Sequence, residues 1–190
     1  ELTANIPVKS TIIPPGAGAI RVDRDFAASN GQDQSQRRPD TDTVIVSLAA
    51  GQHGVVSRKG LLEAGVPKHA IDYRVQTGRL HPLFRGVYRV GPLRSDLERE
   101  MAAVLACGDT AIVSHRSAAS MWKMLRPAPA EIPVDISVQG TYRIPGPSVR
   151  VHRVAGLEED ETTDLRGIPI TAPARTIFDL AGSVDDRRVE

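Results

Sequence analysis

Apolar residues recur at helical spacing in three short stretches between residues 43 and 78. The stretches are TDTVIVSLAAGQHG, SRKGLLEAG and VPKHAIDYRVQTG, and each predicts one helix. We expect Ser57 to cap the second helix and Gly65 to end it in the left-handed conformation. Pro67 suits the first turn of the third helix, because its missing N–H would have no partner there. In that helix Ile71 and Val75 lie one turn apart and are predicted to face the core.

A hairpin is predicted directly after the third helix. The segment RLHPLFRGVYRVG places apolar residues on both sides of an Arg85-Gly86 turn. The paired valines at 55–56 predict a short strand before the second helix. The predicted elements follow the order of a winged helix-turn-helix, namely helix, short strand, helix, tight turn, helix and hairpin. We therefore predict such a domain at residues 43–94.

The remainder, 95–190, predicts a small α+β domain. SDLEREMAAVLACG reads as a helix with Ser95 as its N-cap and Glu98 completing a capping box. Alternating apolar residues in IPVDISVQ and SVRVHRV predict two strands, the first of them buried on one face only. TAPARTIFDLAG predicts a closing helix with Pro173 in its first turn. The predicted fold class is α+β, a winged helix-turn-helix followed by a small α+β domain.

Residues 1–42 lack a periodic apolar face and contain a polar run, ASNGQDQSQRRPDTD. Such a segment cannot offset its own ordering entropy, so we predict a disordered tail that is dispensable for folding. The chain begins with Glu1 and stops in the charged run DDRRVE, from which we expect a piece of a longer protein whose second domain is truncated at its C-terminus. No apolar run approaches the length of a membrane span.

Charge is divided unevenly along the chain, although the total is only +1. Residues 43–94 carry eight Lys/Arg and two Asp/Glu, a net charge of +6, whereas 1–42 has −1 and 95–190 has −4. A basic segment within a predicted helix-turn-helix favours a polyanionic partner, and in this fold the third helix enters the major groove of double-stranded DNA. The predicted DNA-binding residues lie on that helix and along the hairpin: Lys68, His69, Asp72, Tyr73, Arg74, Gln76, Arg79, Arg85 and Arg89.

Enzymatic chemistry finds little support. SHRSA offers Ser114, His115 and Ser117 as nucleophile and base, but side chains one and two apart on a helix do not face each other, so we interpret Ser114 as an N-cap. Asp135 and Glu131 resemble part of a metal-dependent nuclease motif whose E-x-K is missing.

The five histidines show no metal-ligand spacing, and Cys107, the single cysteine, is predicted to be a buried small hydrophobe. No cofactor, no metal and no catalytic residue is therefore predicted, and the chain is not expected to be an enzyme.

VVSRKGLLEAGVPKHAIDYRVQTGRLHPLFRGVYRVG resembles the N-terminal winged-helix domain of AbiEi-family antitoxins from type IV toxin–antitoxin systems. SHRSAASMW and TAPARTIFDL are similar to the second domain of actinobacterial members, so the resemblance covers about 44–190. Departures are the extra tail at 1–42 and the Val-Pro at 66–67, where relatives often place a Ser or Thr cap.

The resemblance implies a cytoplasmic, DNA-binding repressor of its own operon that counters a nucleotidyltransferase-like toxin, in many cases without a stable complex. Two alternatives stay open. Many relatives continue into a domain similar to very-short-patch-repair endonucleases, so the chain could be the DNA-targeting front half of such a protein. It could also be a winged-helix module that binds another protein. The operator, the toxin, the role of the second domain and the oligomeric state stay open as well.

Overall fold

A computed structural model describes residues 40–92, 94–140, 142 and 145–185, and the fold is α+β. The first part of the chain forms three helices and three strands, namely α1 (Thr41–Ala50), β1 (Val55–Ser57), α2 (Arg58–Glu63), α3 (Lys68–Gln76), β2 (Leu80–Phe84) and β3 (Val87–Val90). The strands pair antiparallel in the order β1-β3-β2. This is the predicted order of elements. The predicted tail lies outside the described residues up to 39, and its last two residues, 41–42, already belong to α1.

Local signals in the sequence position these elements. The Ser57 hydroxyl accepts a hydrogen bond from the backbone N–H of Gly60 at 2.9 Å, which caps α2 as predicted. Gly65 ends the α2–α3 turn at φ +83° and Gly86 turns the hairpin at φ +78°, a region that a side chain makes costly. Pro67 directly precedes α3 as its N-cap, one residue before the predicted position.

One apolar cluster holds the first part together. Its buried members come from every element of this part, and Leu61 in α2, Ile71 in α3 and Leu80 in β2 are almost completely buried. Val75 packs against them from the next turn of α3, as predicted. Burying the Leu61, Ile71 and Leu80 side chains stabilises this part by about 2 kcal/mol each. The opposite face of α3 is consequently the one left to solvent.

The second part is a five-stranded mixed sheet with helices on both faces. Its elements are α4 (Glu98–Cys107), β4 (Ile112–Val113), α5 (His115–Met121), β5 (Val134–Val138), β6 (Val149–Arg153), a 3₁₀ turn (Glu159–Glu161), β7 (Thr162–Leu165), β8 (Ile168–Thr171) and α6 (Pro173–Asp185). The strand order is β6-β5-β4-β8-β7, with β5–β6 and β4–β8 parallel and the other pairs antiparallel.

Strand β5 differs from its prediction. All five of its residues are buried, so it is an inner strand covered on both faces and not a half-buried one. Ile136 packs in the apolar cluster beside α4, whereas Asp135 and Ser137, which alternate with it, bury polar groups on the face that α5 covers. The alternation predicted the strand correctly, but the polar residues read as solvent-facing are inside.

The predicted capping box at the start of α4 is wrong. The helix has Leu97 as its N-cap and no side-chain cap bond. The Ser95 hydroxyl lies 3.4 Å from Nδ1 of His53, and the Glu98 carboxylate is buried against Arg89 at 3.5 Å. A contact with the hairpin thus replaces the local cap.

Helix α4 packs against both sheets. The apolar cluster that contains Met101 and Ile136 also includes Val55 and Val87 of the first sheet. The two predicted domains, 43–94 and 95–190, therefore share an apolar interface through α4. Within the described residues, no helix is both long and apolar enough to cross a membrane.

Candidate nucleic-acid interface

Helix α3 presents a polar stripe to solvent. Because Ile71 faces the core, the exposed positions of the helix are Lys68, His69, Tyr73 and Gln76. Tyr73 is 58% exposed, so both its hydroxyl and its ring are accessible to a partner. Four of the nine predicted DNA-binding residues thus lie together on one accessible helix face.

Asp72 belongs to the same face but is already engaged. Its carboxylate pairs with the Arg58 guanidinium at 2.8 Å, and that guanidinium also donates to the Tyr88 hydroxyl at 3.3 Å. These hydrogen bonds, the one to Tyr88 most of all, raise the pKa of Arg58. The ion pair compensates a negative charge that would otherwise repel phosphate. Sequence reasoning missed Arg58 because no local pattern places α2 against α3.

Arg74 is tied into the fold. Its guanidinium contacts the Asp42 carboxylate at 2.7 Å through two nitrogens and donates to the Ala70 carbonyl at 2.9 Å. Only 13% of its side chain is exposed, and the contact joins α3 to α1. Arg79 lies 3.6 Å from the same carboxylate, but it is largely exposed. Arg79 can therefore reach phosphate, whereas Arg74 cannot without breaking its ion pair.

The hairpin carries two arginines with different surroundings. Arg85 is exposed at the turn, where the Gly86 carbonyl accepts a hydrogen bond from the Arg58 backbone N–H at 2.7 Å. Arg89 is largely buried in its pair with Glu98 and also donates to the Gly91 carbonyl at 3.2 Å. The structure leaves Arg85 available to a ligand and uses Arg89 to fasten the hairpin to α4.

A second polar group lies inside the α+β part, and sequence reasoning missed it. This histidine–aspartate cluster consists of His115, His152, Asp135 and Asp179, with Arg150 and Arg175 beside the carboxylates. The two imidazoles stack with ring centroids 3.6 Å apart and planes 13° from parallel. A hydrogen bond of 2.9 Å joins Nε2 of His152 to Asp135, and Arg175 donates to Asp179 at 2.8 Å.

The cluster explains the SHRSA segment. Ser114 precedes α5 in extended backbone, so its hydroxyl does meet Nδ1 of His115 at 2.9 Å, contrary to the prediction that these neighbours face apart. Ser114 occupies the predicted N-cap position but makes no side-chain cap bond, and its hydroxyl accepts from Ser137 at 2.8 Å. Because Ser114 is fully buried, a substrate has no access to it.

The carboxylates of the same cluster are buried, whereas its two imidazoles are partly exposed. One oxygen of Asp135 and one of Asp179 have no hydrogen-bond partner among the described residues, and both are shut off from solvent. Burial, and then the neighbouring His152, lowers the pKa of His115. The described residues contain no group of three or more His, Cys, Asp or Glu that could hold a metal ion. The buried carboxylates and His115 therefore bear on the packing of this part and on the pH dependence of its stability.

Helix α6 closes the cluster with its polar face. Thr176 and Asp179 are buried, whereas the apolar Ile177 and Phe178 are 59% and 73% exposed. Two of the three apolar positions that predicted this helix therefore point away from the interior, and the third, Leu180, is half-buried. Sequence periodicity gave the helix correctly but could not tell which face is covered.

Comparison with known proteins identifies the first part. Residues 44–91 match the family model of the transcriptional regulator, AbiEi antitoxin. The match begins in α1 and ends just after β3, so it coincides with the three helices and the hairpin described above. A search of curated proteins gave no match. Residues 44–91 are therefore similar to the AbiEi antitoxin family of transcriptional regulators.

Proposed function

We propose that residues 43–94 form a winged helix-turn-helix that binds double-stranded DNA sequence-specifically, and that the chain represses its own toxin–antitoxin operon. The observation that carries the proposal is the polar stripe of α3, with Lys68, His69, Tyr73 and Gln76 exposed opposite the buried Ile71. Such a helix fits the major groove, where amide and imidazole groups hydrogen-bond to base edges.

In this proposal the bases are read by two residues in the C-terminal half of α3, Tyr73 and Gln76. Gln76 can donate to and accept from an adenine edge, and Tyr73 offers a hydroxyl and an apolar ring to the groove. Asp72 stays on Arg58, so its paired carboxylate is less repulsive toward the phosphates beside the groove. Replacing Gln76 or Tyr73 should then reduce the preference for the operator by about 1–3 kcal/mol per lost base contact.

Phosphate contacts come from three exposed cations in this proposal. Lys68 begins α3, Arg79 follows it and Arg85 lies at the hairpin turn. Arg74 and Arg89, although basic and adjacent, are largely buried in ion pairs with Asp42 and Glu98. The net charge of +6 therefore overstates the number of contacts with the backbone of DNA.

The test is a fluorescence-anisotropy titration of the protein with the duplex that lies upstream of its own gene, beside a scrambled duplex. We expect the upstream duplex to bind more tightly, and Gln76→Ala to narrow that difference without unfolding the protein. Thr77→Ala is a matched control, since Thr77 is exposed beside Gln76 but bonds to the Tyr73 carbonyl of its own helix. Equal binding of both duplexes by the wild type would refute sequence-specific recognition.

Antitoxin activity against a nucleotidyltransferase-like toxin is proposed as a second role. A protein contact is supported by α6, whose Ile177 and Phe178 are exposed as neighbours on one helix. Co-expression of the chain with the product of the neighbouring gene should rescue growth. A rescue that persists in Gln76→Ala would separate the antitoxin role from repression, whereas no rescue by the wild type would refute the antitoxin role.

A further inference from the structure

A cleft of about 1180 Å³ lies where the hairpin turn and α2 approach the C-terminal half of α4. Its lining combines residues of both parts of the chain, with Leu62 from α2 and Leu105 from α4 among the apolar ones. Pockets between packed units are frequent ligand sites, and drug-sized ligands need about 300–1,000 Å³. The cleft therefore has room for a small molecule.

The accessible apolar part of the lining comes from two leucines. Leu62 of α2 is 47% exposed and Leu105 of α4 is half-buried, whereas Met101, Val104 and Cys107 of the same lining are buried. An exposed leucine side chain does not contribute the hydrophobic free energy of burial. An apolar ligand that covered it would bind with that free energy. This surface suits the body of a hydrophobic molecule.

The charged part of the lining favours an anionic head group. The lining contains three basic residues, Arg58, Lys59 and Arg85, and two acidic residues, Glu63 and Asp109. Arg58 is held by Asp72, and Lys59 pairs with Asp109 in an exposed contact that contributes little. Arg85 has no ion-pair partner among the residues that the structure describes, so it is the cation best placed to receive an anion.

The Tyr88 hydroxyl also favours an anionic head group in the cleft. The Tyr88 oxygen accepts a hydrogen bond from Arg58, and its own proton has no acceptor within the described part of the chain. Tyr88 lines the same cleft as Arg85. A carboxylate could take both the guanidinium and the phenol proton, whereas a cationic ligand would meet three basic residues.

We propose that this cleft binds a small anionic amphiphile, a molecule with a carboxylate-type head on Arg85 and an apolar body against Leu62 and α4. The proposal concerns the cleft alone and does not depend on DNA binding. The expected ligand class is that of medium-chain or aromatic carboxylates.

The experiment is calorimetric titration of the whole chain with decanoate, decanol and acetate, with displacement of the anionic dye anilinonaphthalene sulfonate as a second readout. We expect saturable one-to-one binding of decanoate, at least tenfold weaker binding of decanol, and no binding of acetate. Decanol binding as tightly as decanoate would overturn the assigned head-group site. An absence of saturable decanoate binding would overturn the proposal as a whole.

Matched variants locate the site. Leu62→Ser should weaken decanoate about tenfold through lost apolar contact. Val46→Ser, on a residue that is also an exposed apolar position of a helix but lies outside the cleft lining, should change nothing. Arg85→Ala should weaken decanoate about tenfold and leave decanol unchanged, since a charge-assisted hydrogen bond is lost. Arg116→Ala, an exposed arginine on α5, is its control. Equal effects of the cleft variants and their controls would overturn the assignment.

A regulatory consequence rests on the proposed function, because Arg85 is also proposed to contact phosphate. Saturating decanoate should then weaken DNA binding severalfold. If decanoate binds the chain but leaves DNA affinity unchanged, the coupling is refuted and the ligand site stands. If DNA does not bind at all, the proposed function fails while the calorimetric result is unaffected.

Discussion

The two arginines of the hairpin are expected to behave in opposite ways when each is changed to alanine. Arg85 is exposed at the turn, whereas Arg89 is 14% exposed and faces the buried carboxylate of Glu98. One oxygen of Glu98 already has no partner among the described residues. Arg89→Ala would strip the other oxygen of its cation and leave an unpaired charge inside the interface between hairpin and α4.

The magnitude follows from burial and distance. Breaking a buried ion pair by removing one partner costs about 3–5 kcal/mol. The pair is long at 3.5 Å and Arg89 keeps a second bond to the Gly91 carbonyl, so we expect a loss of about 2–3 kcal/mol in the free energy of unfolding. Removing Glu98 as well, in the double variant Arg89→Ala with Glu98→Ala, should restore about half of it, because no unpaired charge is left. Arg85→Ala should change stability by less than about 0.5 kcal/mol.

The same two variants are also expected to differ in the salt dependence of their DNA binding. Three phosphate contacts give a slope of log K against log salt of about −2.7. Arg85→Ala should reduce its magnitude by about 0.9, whereas Arg89→Ala, measured where it is folded, should leave it unchanged. Urea denaturation measures the stabilities and anisotropy titrations from low to moderate salt measure the slopes. A stable Arg89→Ala with a shallower slope would show that Arg89 faces DNA, and the reasoning from its burial would be refuted.

Three further predictions concern the rest of the chain. Deleting residues 1–39 should leave the melting temperature unchanged. Asp42→Ala should lower the free energy of unfolding by about 1–2 kcal/mol, because the largely buried Arg74 loses its ion-pair partner. Calorimetry measures both effects. Stability should fall as the pH falls through about 6.5, because folding lowers the pKa of His115 and the unfolded chain therefore binds more protons. Urea midpoints measured at several pH values should depend less on pH in His115→Asn than in the wild type. The same pH dependence in both proteins would contradict this. Burial raises the pKa of Cys107 to about 11, so iodoacetamide should label the native protein slowly at pH 8 and rapidly in urea, and fast native labelling would contradict the burial.

The sequence by itself determined the elements of the first part and the accessible face of α3. Helical spacing, the Ser57 cap and the glycines at 65 and 86 act within a few residues, so their signals are local and readable. The stripe of Lys68, His69, Tyr73 and Gln76 follows from the same periodicity once Ile71 is placed inside. That surface could therefore be predicted without any knowledge of the neighbours of α3.

Only the tertiary structure decided which charges are free. Arg74 and Arg85 look alike in sequence, but Asp42 lies 32 residues before Arg74 and meets it only after α1 packs on α3. Glu98 likewise leaves its expected local cap because Arg89 is brought to it across the interface with α4. Charge counting overestimates a binding surface for this reason, since an ion pair between distant residues removes a cation without any local trace.

Tertiary packing also determines which residues of the second part are buried. β5 is an inner strand because β4 and β6 pair with its two edges, and its faces are covered because α4 and α5 pack against it, so its polar Asp135 is inside. In α6 the buried partners are polar, so Thr176 and Asp179 turn inward and Phe178 outward. Sequence periodicity shows that a helix or strand has two different faces. Which of these faces is buried depends on the side chains of the elements that pack against it.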